Sequence, residues 1–161
     1  MPVSHVDAVD FARVMVAFAL SFAIGFEREL RGSAAGDRTY ALVGTASAAL
    51  TAVTISLSPQ AVAGAITGIG FIGGGLVFRE GTRNIKGVTS AACIFAVAAL
   101  GVVAGTGHLL LAVLVAGVIL VDLEIRNIPF LNRLDARRYE GMLRDDFAMP
   151  AGMENDRPTP G

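Results

Sequence analysis

The stretch Gly64-Ala-Ile-Thr-Gly-Ile-Gly-Phe-Ile-Gly-Gly-Gly-Leu-Val-Phe-Arg-Glu-Gly81 decides how the chain is read. It carries seven glycines, six of them in an apolar run that stops abruptly at Arg79-Glu80. Glycine costs about 1 kcal/mol per residue against alanine in a water-exposed helix, so this density needs a compensating environment. A bilayer supplies one, because helices in lipid associate by close packing of small residues. Gly64/Gly68 and Gly70/Gly74 both have G-x-x-x-G spacing and are expected to let a second backbone approach. Gly68-Ile-Gly70-Phe-Ile-Gly73 also matches the dinucleotide fingerprint, G-x-G-x-x-G. That motif works only as a strand-to-helix turn with an acidic residue some 20 positions on. No strand or turn signal precedes it here, and the region it points to is Ser90 to Cys93, which has no acid. Helix packing is the better reading.

Outward from that stretch, the 161 residues are 53% hydrophobic with a mean hydropathy of +0.61, and the 13 basic and 14 acidic residues are clustered. The clusters separate five apolar runs, near 9–26, 39–57, 60–78, 88–105 and 107–125. Each approaches the roughly 20 residues that span a ~30 Å hydrocarbon core. The expectation is an all-α, polytopic transmembrane bundle of about five helices over residues 1–125. A cytoplasmic tail over 126–161 is expected to be partly interfacial and then disordered. Asp7 and Asp10 stand where a cleavable signal would be positively charged, so the first helix is expected to remain in the protein. The single cysteine, Cys93, rules out an internal disulfide and reads as a small buried apolar residue.

Charge orients the bundle. Arg28, Arg31 and Arg38 fall in the first connection, Arg79, Arg83 and Lys86 in the third, and Arg126, Arg133, Arg137, Arg138, Arg144 and Arg157 in the tail. The second and fourth connections have no Lys or Arg. By the positive-inside rule the N-terminus lies outside and the C-terminus inside. Arg13 is expected to snorkel to the outer interface. Gly101 and Gly105 form a further close-packing pair, and Thr45, Ser47, Thr51 and Thr54 are hydroxyls able to bond back to the backbone or across to a neighbour. An offset of 50 equates Thr39, Ala41, Ala46, Ala48, Ala49 and Leu50 with Thr89, Ala91, Ala96, Ala98, Ala99 and Leu100, a faint parallel repeat.

Chemistry is confined to the inner helix ends. Glu27, Arg28, Glu29, Asp37, Arg38, Arg79, Glu80, Asp122 and Glu124 gather there, where charges bordering hydrocarbon pair and often mark an ion path or partner site. A ring of salt bridges fixing the helix ends is the plainer reading of the same residues. Asp122 is the sharpest case, expected to pair with Arg38 or Arg79 if it faces the bundle. Hard-oxygen ligation of Mg²⁺ is open to these carboxylates, yet the spacing specifies no metal cage. There is no H-E-x-x-H, no Walker lysine and no catalytic triad order, and the short basic loops lack the aromatic interleaving of a nucleic-acid surface.

In order along the chain come Gly25-Phe-Glu-Arg-Glu, Ala35-Gly-Asp-Arg-Thr, Gly68-Ile-Gly-Phe-Ile-Gly-Gly-Gly-Leu-Val-Phe-Arg-Glu-Gly81 and Lys86-Gly-Val-Thr-Ser-Ala-Ala92. This succession resembles the MgtC/SapB family of bacterial inner-membrane proteins, with Phe26, Val88 and Ser90 where the family often has Leu, Leu and Thr. The resemblance implies a multi-pass protein tied to adaptation to low magnesium and, in pathogens, to intracellular survival. It also implies a non-enzymatic regulator without cofactor that acts through membrane partners, among them the F-type ATP synthase. Many members add a soluble C-terminal domain, for which the residues after the fifth run are too few. Carried onto this chain, the motif positions are Glu27, Arg28, Gly36, Arg38, Thr39, Arg79, Glu80 and Thr89. A small transporter or channel for Mg²⁺ or another solute is the competing expectation, and homo-oligomerisation through the glycine pairs suits both.

Overall fold

The computed structural model describes residues 5–80 and 84–124, without the side chains of 78–80, 84 and 85. Among the described residues there are five helices, α1 (His5–Leu30), α2 (Asp37–Thr54), α3 (Pro59–Gly75), α4 (Val88–Gly105) and α5 (Leu109–Glu124). They fall on the five apolar runs. Two strands of three residues, β1 (Phe78–Glu80) and β2 (Asn84–Lys86), pair antiparallel between α3 and α4 with Arg79 opposite Ile85. The sequence reading had this segment as a plain loop. The chain divides into two compact units, Met1–Val121 and Asp122–Gly161. The expected interfacial and disordered tail, 126–161, lies outside the described residues.

Among the described residues, two helices, α1 and α4, are long and apolar enough to cross a membrane; α2 carries more polar residues, and α3 and α5 have 17 and 16 residues. At 1.5 Å per residue, the 26 residues of α1 extend about 39 Å and the 18 of α4 about 27 Å. Every described helix exposes apolar side chains: Leu30, Leu42, Phe71, Val88 and Leu110 are each more than half exposed.

The core lies where α1, α2 and α4 meet. α1 packs most extensively on α2, and α2 packs along α4, the helix that the offset of 50 equates with it. Small residues make the approach possible. A Cβ on Gly101 would run into the Gly44 carbonyl and the Ser47 Cβ, the latter at 2.8 Å, and one on Gly105 would meet Ala48 O at 2.6 Å. Gly44 in turn receives the Ser21 hydroxyl from α1. Ala17, Ala48, Ala104 and Ala112 close the cluster, the last of them seating α5.

Glycine also ends two of these helices. The Gly32 and Ser33 amides donate to Glu29 O and Arg28 O, and those of Gly107 and His108 to Ala104 O and Val103 O. Both are Schellman closures with glycine in the left-handed region, at φ 65° and 93°.

The glycine run itself behaves differently. Of the six glycines in α3 only Gly73 touches another helix, at Ala91; a Cβ on Gly64, Gly68, Gly70, Gly74 or Gly75 would meet nothing within 4 Å. The close approach expected at Gly64/Gly68 and Gly70/Gly74 is therefore not made within one chain. The reason is that α3 turns only its Val62 and Gly73 face inward.

Candidate functional site

One end of the bundle collects the ends of α1, α2 and α4, and with them three of the four sequence motifs. Gly25 starts the assembly. A Cβ there would lie 2.7 Å from the Asp37 Cα and 2.8 Å from the Tyr40 Cβ, so only glycine admits the first turn of α2 against α1. The Glu29 carboxylate then reaches from α1 to the start of α2 and accepts the Asp37 N–H at 3.0 Å. It occupies the space a side chain on Gly36 would need. Helix α2 has no cap from its own N-cap residue, Gly36, so Glu29 does from outside what Ser or Asp ordinarily does from within. A negative charge at a helix N-terminus also opposes the macrodipole favourably.

A second set of contacts ties this end to α4. Arg28 donates from Nη2 to the Ser33 hydroxyl at 3.2 Å, and Ser33 and Ser90 share a hydrogen bond of 2.6 Å. The Tyr40 hydroxyl, on a fully buried side chain, donates to the Ser90 carbonyl at 3.3 Å. Ser90 sits in the first turn of α4 and is itself buried. Glu27 pairs with Arg31 one turn on, while Glu27 Oε2 and Arg28 Nε are buried without a partner.

The expected site residues distribute as follows. Glu27, Arg28, Asp37, Arg38 and Thr39 come together at this end. Asp37, Arg38 and Thr39 line a shallow polar hollow of about 340 Å³ with Glu29 and Gly36. Thr89 is exposed, and its neighbour Ser90 makes the contact instead. Arg79 and Glu80 stand on β1, and their side chains lie outside the described residues. Asp122 is exposed in the last turn of α5 and belongs to the second unit. Ser33 and Tyr40 did not stand out in the sequence, and Ser90 was read there only as a motif position that departs from the family's usual threonine. Among the described residues no three His, Cys, Asp or Glu side chains gather as a metal set.

The opposite end is built more simply. Arg13 pairs with Asp10 at 2.8 Å and lays its guanidinium over Gly107, where a side chain would lie 2.9 Å from Nη2. Thr106 and His108 share a hydrogen bond of 3.0 Å beside it.

Residues 14–128 match the MgtC family model. The chain is 37% identical to Protein MgtC of Brucella abortus over 136 residues, covering 81% of this chain and 55% of that protein. It is 36% identical to the putative magnesium transporter YhiD of Escherichia coli K12 over 126 residues, covering 70% and 58%. An uncharacterized protein of Haemophilus influenzae is 32% identical over 144 residues, covering 81% and 60%. This chain thus spans about three-fifths or less of the length of the curated relatives it matches. No solved structure matches. With the motif end built from Gly25, Glu29, Gly36 and Ser90, and the family model covering most of the chain, the protein belongs to the MgtC family.

Proposed function

We propose that the chain is a multi-pass protein of the bacterial inner membrane, N-terminus out and C-terminus in, that works as a non-enzymatic regulator through other membrane proteins. The observation that carries this reading is the use made of the polar end. Glu29 is bonded to the α2 N-terminus, Arg28 to Ser33 and Glu27 to Arg31, so charged groups are spent on fixing helix ends. A coupling site for transport is expected at mid-bilayer depth. Among the described residues the charged side chains sit toward the two ends of the helices, with Asp10 and Arg13 joined to each other at the far one.

The apolar exterior supports the membrane reading, since contiguous exposed apolar surface on this scale is rare on soluble monomers. Arg28, Arg31 and Arg38 at the motif end support reading that end as the cytoplasmic one, by the positive-inside rule. The family resemblance noted in the sequence implies a role in adaptation to low magnesium and, in pathogens, in intracellular survival; the F-type ATP synthase is the first partner to test. A small Mg²⁺ transporter is the second reading. It is favoured by the name of the Escherichia coli relative and by the hollow between Glu29 and Asp37.

The separating experiment is Mg²⁺ flux into proteoliposomes holding an internal Mg²⁺-sensitive dye, for the wild-type chain and Glu29→Gln. The regulator reading expects wild-type vesicles to match protein-free ones, and crosslinking in native membranes to capture a partner. Uptake that Glu29→Gln abolishes would replace it with the transporter.

A further inference from the structure

At the end of the bundle opposite the motifs, a groove of about 450 Å³ changes character along its length. Gly107 and His108 form its head, and Leu110, Leu111 and Leu114 continue it for about 6 Å along α5. That volume is in the range of ligand pockets. Leu110 and Leu114 are each more than half exposed, so the apolar part is open from the side.

Three polar side chains stand at the head, and each has capacity left. The Arg13 guanidinium lies against Gly107, with Nη2 2.9 Å from where a side chain there would begin. Its bond to Asp10 Oδ1 uses one of five N–H donors and one of two carboxylate oxygens, and both side chains are partly exposed. The state of His108 follows from its neighbour. The Thr106 hydroxyl has one proton and donates it to Val103 O at 2.8 Å. Its 3.0 Å contact with His108 Nδ1 is therefore donated by the ring, and the neutral tautomer that does so leaves Nε2 as an acceptor. A cationic donor set thus stands beside two acceptors.

The position narrows the occupant. From Arg13 to Leu30 is 17 residues, about 26 Å along α1. Resting on the membrane reading above, Leu30 at one edge of a ~30 Å hydrocarbon layer puts the groove's head near the other. The leucines then run inward from headgroup level, which is the layout of a phospholipid. Charge selects the headgroup. Asp7 and Asp10 stand against Arg13 at this end, a formal excess of one negative charge that disfavours an anionic lipid. A phosphate suits the guanidinium. A primary ammonium has three N–H groups for Asp10 and Nε2, whereas a trimethylammonium has none to donate.

We infer that this groove binds one phosphoethanolamine lipid, with its phosphate on Arg13, its ammonium on Asp10 and His108 Nε2, and an acyl chain along Leu110 and Leu114.

The test is native mass spectrometry of the full chain in detergent, titrated with phosphatidylethanolamine, phosphatidylcholine and phosphatidylglycerol that share the same acyl chains. The first ethanolamine lipid binds roughly three- to tenfold more tightly than either of the others, the factor one net hydrogen bond supplies. His108→Phe, at an exposed position, keeps an aromatic ring without the acceptor and lowers the preference over the choline lipid. Asp10→Asn in the same chain removes what remains of it. Arg13→Gln weakens all three lipids by a common factor, because all three carry the phosphate.

Equal affinity for the ethanolamine and choline lipids, tightest binding of the glycerol lipid, or an ethanolamine preference untouched by His108→Phe and Asp10→Asn would overturn the assignment and leave the groove to unselective lipid tails. A chain that stays folded without detergent and takes up no lipid would bring down the membrane reading along with this one. A chain that needs detergent or lipid but does not discriminate headgroups counts against this one alone.

Discussion

The α2–α4 seam and helix α3 both carry glycine at four-residue spacing, and they use it in opposite ways. Along the seam, Gly101 and Gly105 lie against the Gly44 and Ala48 carbonyls, with the Ser47 and Thr51 Cβ atoms 2.8 Å from where side chains would begin. On α3, Gly64, Gly68, Gly70 and Gly74 face open space. G-x-x-x-G spacing therefore states that a backbone can be approached, and the neighbouring elements decide whether it is. The seam is a close contact inside the bundle, and the α3 glycine face is open within the chain.

The largest effect that would break this comparison is at the seam. Gly101→Leu drives a side chain into the α2 backbone, which has no rotamer with which to yield. We expect a loss of about 3 kcal/mol or more, above the usual range for overpacking because the obstacle is main chain. Retention of the folded fraction on heating in detergent, against wild type, measures it. An unchanged unfolding midpoint would mean that α2 and α4 are not in contact at Gly101.

Next in size is the cap at the polar end. Glu29→Ala removes the acceptor of the Asp37 N–H and the charge at the α2 N-terminus, at a cost of about 1 to 2 kcal/mol. Hydrogen exchange should quicken at Asp37 and in the turn that follows it, while α5 is unaffected. Ser90→Ala is smaller, about 1 kcal/mol, because it deletes the hydrogen bond to Ser33 and leaves Tyr40 bonded to the Ser90 carbonyl. Its effect should be diminished in an Arg28→Ala background, where Ser33 has already lost a donor, and a double-mutant cycle reads that coupling.

Much of this fold could be read before any coordinates, because hydrophobic run length is a strong signal. Helix α4 occupies the expected 88–105, and the other four fall on their runs to within four residues at each end. The two short strands escaped because Phe78 to Lys86 carries no period long enough to register. At the polar end, Glu27, Arg28, Asp37 and Arg38 could be placed at one end of the bundle from their spacing, whereas Arg79, Glu80 and Asp122 could not be drawn to it. The partners could not be read the same way. Ser33, Tyr40 and Ser90 are drawn in by the way α4 meets the α1–α2 turn, and a hydroxyl's role is set by which atom lies 3 Å away. Thr89 matches its motif position while Ser90 departs from it, and one residue along a helix is a rotation of about 100°. That rotation separates an exposed threonine from a buried serine.

The smallest effect sharpens the comparison most. Gly74→Ala on α3 adds a methyl group where nothing lies within 4 Å, so within one chain it carries no packing penalty. It also removes backbone freedom from the unfolded chain and raises helix propensity, which together favour the folded state by up to about 1 kcal/mol. The chain alone in detergent should therefore be unchanged or slightly stabilised, with Gly101→Ala destabilised in the same assay. The sign changes if α3 is covered by a partner, because a methyl group that is harmless in the isolated chain then holds two backbones apart. Running both variants in detergent and in native membranes separates the cases. Stabilisation in both settings leaves α3 facing lipid. Stabilisation in detergent joined to a loss in membranes makes Gly74 a point of contact with another protein, and the five open glycines of α3 then have the same explanation as the buried ones of the seam, supplied from outside the chain.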